Sequence, residues 1–468
     1  MNETSATLND CARLLGSAGF PVEDVERWSR SHPEEVLDLA SDRRRYGDFW
    51  RESAQLLARL PVKPRRRAAE QDVARCLTGL ARTGRERFLR AHVAAVYDEL
   101  TQGRSRPVRA DDLCYEAARL FPGLVPTRAE VAAESEFQQS DKDGIEIEQG
   151  IFLSHVLAHE AAGRHLVQAM LFPRPDSVAL IADFGRTGSA DLNGARVERR
   201  GKAAFVTLRN PRFLNAEDST TLDGIEIAVD LALLDPACEI CVIRGGRIEH
   251  PKYAGRRIFG AGINLTHIYQ GKIPFLWFMT RDLGFVNKVY RGLASERADE
   301  LAGESLEKLW IAAVESFAIG GHCQILLAVD YILAESDAYL SLPARKEGII
   351  PGAANLRLPR FVGDRLARQA ILYERRFDCD SPEGRLLCDR VVATGEMDSA
   401  VEETVAGLTS SGVVSAAGNR RALRVAEEPL DTFRRYMAVY AREQAQCHFS
   451  PALIANLERN WDAKSRKG

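Results

Sequence analysis

The 468-residue chain lacks the features that would sort it at a glance. It has no apolar run of the roughly 18 residues that cross a bilayer, so no transmembrane helix is expected. Neither charge is in excess. The net charge is −3, which gives no reason to expect nucleic acid as a partner. The opening "MNETSATLND" has neither a basic segment nor an apolar one, so a secretory signal is not expected. There is no internal repeat and no low-complexity tract. Cysteine is not organised as a disulfide framework: nine residues, an odd count, read most simply as free thiols in a reducing cytoplasm.

What is present is ordinary for a soluble globular protein: 45% hydrophobic and 28% charged residues. The length is enough for two or three domains with substantial cores. Residues up to about 135 carry helical periodicity, clearest in "VARCLTGLARTGRERFLRAHVAAVYDEL". "PVKPRRRAAE" interrupts it as a solvated loop, and a further helix is expected near 150–170. After about residue 200, β-rich runs such as "AAFVTLRNP" and "EICVIRGG" alternate with helical ones such as "TLDGIEIAVDLALLD". The last hundred residues read as helical again. The expected division is an N-terminal helical domain over 1–198, an α/β core over 199–370 and a helical C-terminal oligomerisation region over 371–468.

Two metal-like patterns fail on inspection. "SHVLAHEAAGRH" spaces His155 and His159 four apart, but it is not HExxH. "DKDGIEIEQG" lacks the full calcium-loop pattern. No metal site is expected.

Three stretches carry chemistry: "LRNPRFLNAED" (208–218), "RRIFGAGINL" (256–265) and "FAIGGHCQILLAVD" (317–330), the last followed by "LPARKEGIIPG". Each alone is weak, since glycine pairs usually mark turns or close packing. Together and in this order they resemble the crotonase (enoyl-CoA hydratase/isomerase) superfamily. Arg209, Asn210, Pro211, Asn215 and Ala216 match its first-strand pattern, with the first two residues exchanged. Phe259–Leu265, Ala318–Gln324 and Pro343–Gly352 match its other motifs.

The resemblance implies a crotonase-like ββα spiral core and a CoA-thioester site. The two backbone N–H groups of the oxyanion hole fall on Ile263 and Gly321. The family's two catalytic glutamates fall on Gln324 and Ala344, which cannot exchange a proton as a carboxyl group does. Glu347 falls on a non-catalytic position. A third family glycine is replaced by His322.

The long helical extension and the wording of the motifs are further similar to a narrower family, the cofactor-independent 3,5-dihydroxyphenylacetyl-CoA dioxygenases of glycopeptide-antibiotic biosynthesis. That resemblance implies an arylacetyl-CoA substrate, O2 as co-substrate, no cofactor and a Cα enolate that reduces O2. It points to Glu217 and Arg281 as clamps on the ring hydroxyls, and to Ile349 and Ile350 as walls of an O2 niche. Arg212, Phe213, Leu214 and Arg257 fall where CoA is bound. The plainer alternatives are a first-turn acid for Glu217, an ion pair for Arg281, core packing for the isoleucines and surface charge for Arg257. The family further implies a homo-oligomer, trimer or hexamer. An isomerase, a thioester hydrolase or a non-catalytic CoA-binding protein on the same scaffold stays open at this point, and the base for the Cα proton is unassigned.

Overall fold

The computed structural model describes residues 7–248, 250–253, 255–295, 305–411 and 413–466; residues 1–6 of the opening stretch lie outside them. Contacts divide the chain into two units. The first comprises Met1–Leu166, Gln270–Phe275 and Ala438–Phe449. It is helical, and its longest helix is Ala68–Leu100. The apolar stripe of that helix, including Val73, Leu77, Phe88, Leu89 and Val96, is buried, as its periodicity predicts. The helix expected near 150–170 is two, Ile147–Ala158 and Glu160–Leu171, separated at His159. The histidines of that region are engaged separately. His155 Nε2 lies 2.6 Å from Glu86, and His165 Nδ1 lies 2.7 Å from the Tyr97 hydroxyl. His159 Nδ1 accepts from the Ala162 N–H. Among the described residues, no group of three or more His, Cys, Asp or Glu is arranged to hold a metal ion. No described helix is long and apolar enough to cross a membrane.

The second unit comprises Val167–Tyr269, Leu276–Met437 and Ser450–Gly468. Its strands are β1 (Ser189–Leu192), β2 (Ala195–Arg200), β3 (Ala203–Leu208), β4 (Ile240–Gly245), β5 (Leu309–Val314), β6 (Phe317–Ile319), β7 (Tyr331–Glu335), β8 (Tyr339–Ser341), β9 (Phe377–Asp378) and β10 (Arg390–Val392). Seven form one sheet in the order β1-β2-β3-β4-β5-β7-β10. The first two pairings are antiparallel and the rest parallel. A smaller sheet has the order β6-β8-β9.

Strand β4 is buried along its whole length, and β3 at all but one position, as expected of parallel strands covered on both faces. One face carries Phe205, Ile240, Val242, Ile311, Ala313 and Leu333 against Met397, Ala400 and Val401 of the helix Met397–Leu408. Each of the larger side chains among these, alanines aside, contributes roughly 1.5–3 kcal/mol by leaving water.

Two features depart from the expected division. The sheet begins before residue 199, because Asn193–Gly194 closes a β1–β2 hairpin, with Gly194 at φ +87°. The helix Pro175–Thr187 also belongs with this unit: Asp230 of the helix Leu222–Leu234 accepts from the Arg174 N–H and the Ser177 hydroxyl, both at 2.8 Å. All nine cysteines are free. A Cys-x-x-Cys spacing does occur, at Cys238 and Cys241. Both thiols are buried, and burial pushes each up to about 12, so neither is a thiolate near neutral pH.

Candidate functional site

The three motif stretches lie at the C-terminal ends of β3, β4 and β6, where α/β sheets place their ligands. The backbone fastens them together. Glu217 N–H donates to Gly262 O at 2.7 Å, and Asn264 N–H to Glu217 O at 2.8 Å. Gly260 N–H donates to Phe317 O, and Ile319 N–H to Gly260 O. Asn215, in the left-handed region at φ +59°, is the tie that sequence reasoning noted only as a motif residue. Its Nδ2 donates to Gly246 O at 3.0 Å and Ile258 O at 2.8 Å, and its Oδ1 accepts from Asn210 N–H. One buried amide thus spans the ends of β3 and β4.

Ile263 and Gly321 are brought to adjacent loops. A Cβ on Gly262 would lie 3.3 Å from Gly321 N. Among the described residues neither Ile263 N–H nor Gly321 N–H has an acceptor. Two unoccupied backbone donors on touching loops are what binding a developing oxyanion requires. Gly321 opens the short helix Gly321–Leu326 after Gly320, whose φ of +54° and ψ of −118° suit only glycine.

Glu217 and Arg281 are joined to each other. Arg281 Nε donates to Glu217 Oε2 at 2.6 Å, and Nη2 to Oε1 at 2.8 Å, a bidentate pair with both residues at most 2% exposed. Burial pushes the Glu217 carboxyl up, but the Arg281 charge and its hydrogen bonds outweigh that and hold it below the usual range. Arg281 Nη2 also donates to Gly321 O at 2.7 Å, and Nη1 donates to Asp282 Oδ1 and Gln324 Oε1, both at 2.9 Å. The guanidinium therefore fixes the carbonyl of Gly321 and the orientation of the Gln324 amide. A Cβ on Gly321 would come within 3.0 Å of Nη2, so only glycine allows the approach. With Oε1 occupied, Gln324 Nε2 is left without a partner among the described residues.

His322, the departure from the glycine run, lies under the Phe259–Leu265 loop. It is fully buried, edge-on to Phe259, and its Nδ1 accepts from Gly262 N–H at 3.1 Å. Burial, opposed by Glu217, holds the imidazole down to about 4, so it is neutral at pH 7 with its proton on Nε2. The ring occupies the space beside Gly260, where any Cβ would overlap it. No local signal links residues 260 and 322.

The remaining expected positions are less concentrated. Pro211–Phe213 is a 3₁₀ turn, and Leu214 follows in the left-handed region. Arg212 stacks over Phe213, whose ring meets His267 edge-on. Arg257 is half-buried and lies 3.9 Å from Glu315. Ile349 and Ile350 are half-buried, beyond the short helix Ala344–Glu347 and Gly348. That helix is clamped from outside by the helix Pro451–Trp461: Asn456 Nδ2 donates to Arg345 O at 3.3 Å, and Asn460 Nδ2 to Lys346 O at 3.2 Å. Tyr436 donates to Gly352 O. A Cβ on Gly352 would overlap Gln324 and approach Asp282 to 2.8 Å, so this turn backs the Arg281 network.

The chain matches the enoyl-CoA hydratase/isomerase family model over residues 198–431. It is 48% identical over 392 residues to a (3,5-dihydroxyphenyl)acetyl-CoA 1,2-dioxygenase of Amycolatopsis orientalis, covering 84% of this chain and 89% of that protein. It is 29% identical to a short-chain-enoyl-CoA hydratase of Clostridium acetobutylicum over 50% of this chain and 82% of that one. A crystal structure of an enoyl-CoA hydratase from Mycobacterium avium subsp. paratuberculosis superposes with a TM-score of 0.47 at 23% identity, over 57% of this chain and 98% of the other. With that family matched over half its length and so similar a relative over most of it, the chain belongs to the enoyl-CoA hydratase/isomerase, or crotonase, family.

Proposed function

We propose that the protein is a dioxygenase that converts 3,5-dihydroxyphenylacetyl-CoA and O2 to 3,5-dihydroxyphenylglyoxylate and CoA, without metal or organic cofactor. The observation that carries this reading is the 48% identity to the dioxygenase relative across 84% of the chain. The replacement of both hydratase carboxylates, by Gln324 and Ala344, supports it. The thioester oxygen accepts from Ile263 N–H and Gly321 N–H. This stabilises negative charge as the Cα proton leaves. An aryl ring on one side of Cα and a thioester on the other spread that charge, and the electron-rich enolate reduces O2 by one electron. Recombination gives a peroxide at Cα, which attacks the thioester carbonyl and expels CoA.

The chain's own residues provide position. Arg281 holds Gly321 and Gln324 and is itself held by Glu217 and Asp282. The ring hydroxyls are read by the accessible edges of this network, with the Gln324 Nε2 amide as its free donor. A glutamate at 324 would place a carboxylate beside the developing enolate, and the amide adds no charge there. Ile349 and Ile350 wall the O2 niche, and Arg212, Phe213, Leu214 and Arg257 face CoA. The assembly is a homo-oligomer, trimer or hexamer, acting in the cytoplasm. An oxygen electrode with metal-stripped protein and 3,5-dihydroxyphenylacetyl-CoA tests the reading. Stoichiometric O2 uptake and CoA release are expected; CoA release without O2 uptake would make the protein a thioester hydrolase.

A further inference from the structure

The reaction proposed above removes two protons from Cα, yet neither position of the family's paired acids holds a carboxyl group. One acid near the loops that hold Ile263 and Gly321 has no role so far. Glu347 ends the helix Ala344–Glu347, three residues after Ala344. Residues three apart lie on one helix face with Cβ atoms about 5–6 Å apart. A longer side chain one turn on can therefore reach the side of the helix that Ala344 faces.

The Glu347 carboxyl lies beside the Gly320 turn. A Cβ built on Gly320 would lie 3.7 Å from Gly262 Cα and 3.9 Å from Glu347 Oε2. The carboxyl and the Gly262–Ile263 loop thus face each other across the turn that presents Gly321 N–H. Among the described residues the carboxyl makes no hydrogen bond, although Glu347 is half-buried. Its charged neighbours are Lys346 on its own helix and Glu374 beyond the helix Ala354–Tyr373. Glu374 is itself paired with Arg345 at 3.2 Å and Lys346 at 3.8 Å. From the helix Pro451–Trp461, Leu453, Asn456 and Asn460 pack here, all neutral.

We propose that the Glu347 carboxylate is the base that takes the Cα proton of the arylacetyl thioester. The inference rests on the reading given under the proposed function. The carboxylate accepts the first proton as the C–H pair becomes the enolate. The enolate passes one electron to O2, and recombination forms the C–O bond of a Cα peroxide anion. The peroxide adds to the thioester carbonyl, and the C–S bond breaks. The departing thiolate takes the proton back from Glu347, restoring the carboxylate. The second Cα proton then passes to Glu347 as the ketone C=O forms and the O–O bond breaks, leaving the glyoxylate carboxylate. One proton leaves on CoA and one to solvent. Burial pushes this carboxyl up to about 8, with Lys346 opposing and Glu374 adding, which matches its strength to a proton transfer near neutral pH.

The test is solvent-deuterium wash-in at Cα of 3,5-dihydroxyphenylacetyl-CoA without O2, run beside O2 uptake, for the full-length protein, Glu347→Gln and Glu347→Asp. General-base removal costs on the order of 10²–10⁴-fold. Glu347→Gln should lose that factor in both wash-in and kcat, with KM changed little, and should lose the rise of wild-type kcat through pH about 8. Glu347→Asp should retain part of the rate and the pH limb. This variant carries the test if Glu347→Gln does not fold. Wild-type wash-in by Glu347→Gln, with O2 uptake intact in the wild type, overturns the base and leaves the dioxygenase standing. Wild-type wash-in without O2 uptake, lost in Glu347→Gln, overturns the dioxygenase and leaves the base. A wild type that does neither overturns both.

Discussion

Glu217→Gln separates two roles for the buried pair. The substitution keeps shape and removes charge. Its amide also turns a donor toward Arg281, where Glu217 Oε2 and Oε1 accept at 2.6 and 2.8 Å. Charge centres about 4 Å apart at an effective dielectric of about 20 attract by about 4 kcal/mol. Breaking one side of a buried pair costs about 3–5 kcal/mol. Asp282 stays at 2.9 Å from Nη1, so the guanidinium keeps one counter-charge and the lower figure applies. At roughly 2–4 °C per kcal/mol for domains of 150–250 residues, the unliganded variant should melt about 6–12 °C lower. Pairing holds the carboxyl below its usual range, so its contribution is present above the ordinary carboxylate pKa. It is lost as pH falls through the lower folded-state value, and the gap in Tm should narrow on acidification. Arg281 would also loosen its hold on Gly321 O, and kcat should fall, since a 1 Å displacement can cost about 10²-fold. Differential scanning fluorimetry without ligand, beside steady-state kinetics, gives both readings. A variant melting within 2 °C of the wild type (a drop well short of the roughly 6–12 °C expected), with a raised KM only for the dihydroxyphenyl substrate, would refute the anchoring argument and make Glu217 a direct contact to the ring.

Further outcomes follow from other contacts. Glu347 in the folded state holds its proton to about 8, so wild-type stability should fall as pH rises from the ordinary carboxylate range to that value. Glu347→Gln should therefore gain several degrees of Tm over wild type between pH 5 and 8.5, and a pH-independent difference would count against the burial. Gln324→Glu would add a third carboxylate around a guanidinium already bound by Glu217 and Asp282. Repulsion at about 5 Å is worth about 3 kcal/mol at a dielectric of about 20, so O2 uptake should drop at least about tenfold, and Gln324→Ala should be milder. Gly260→Ala should cost about 1–3 kcal/mol by overlapping His322, and His322→Gly should rescue it; additive losses in the double variant would refute the packing. Turnover should survive exhaustive EDTA treatment, and its loss with recovery on adding one metal would contradict the cofactor-free reading.

Much of this was legible in the sequence because it is local. The βα alternation after residue 200, the long helix over 68–100 and the glycine turns before Ile263 and Gly321 depend on neighbours in the chain. The β1–β2 hairpin was also signalled, by Asn193–Gly194 between alternating residues, but a helical expectation covered it. Pairings over distance were not legible. Glu217 meets Arg281 64 residues away, and His322 meets Gly262 60 residues away. Single-residue patterns gave both acid and base, but not that each was the other's partner. Glu347 was passed over because it falls on a non-catalytic position of the family pattern, and only its nearness to Gly320 draws it in.

The clamp on the Ala344–Glu347 helix bears on when that helix is first held. Its carbonyls at Arg345 and Lys346 are held by Asn456 and Asn460, which lie 111 and 114 residues further along. A nascent chain that has emerged as far as Gly348 has the helix but neither of the amides that hold it from outside. This helix would thus be secured only late in synthesis, and a chain stalled or clipped before residue 456 should lack both amides that hold it.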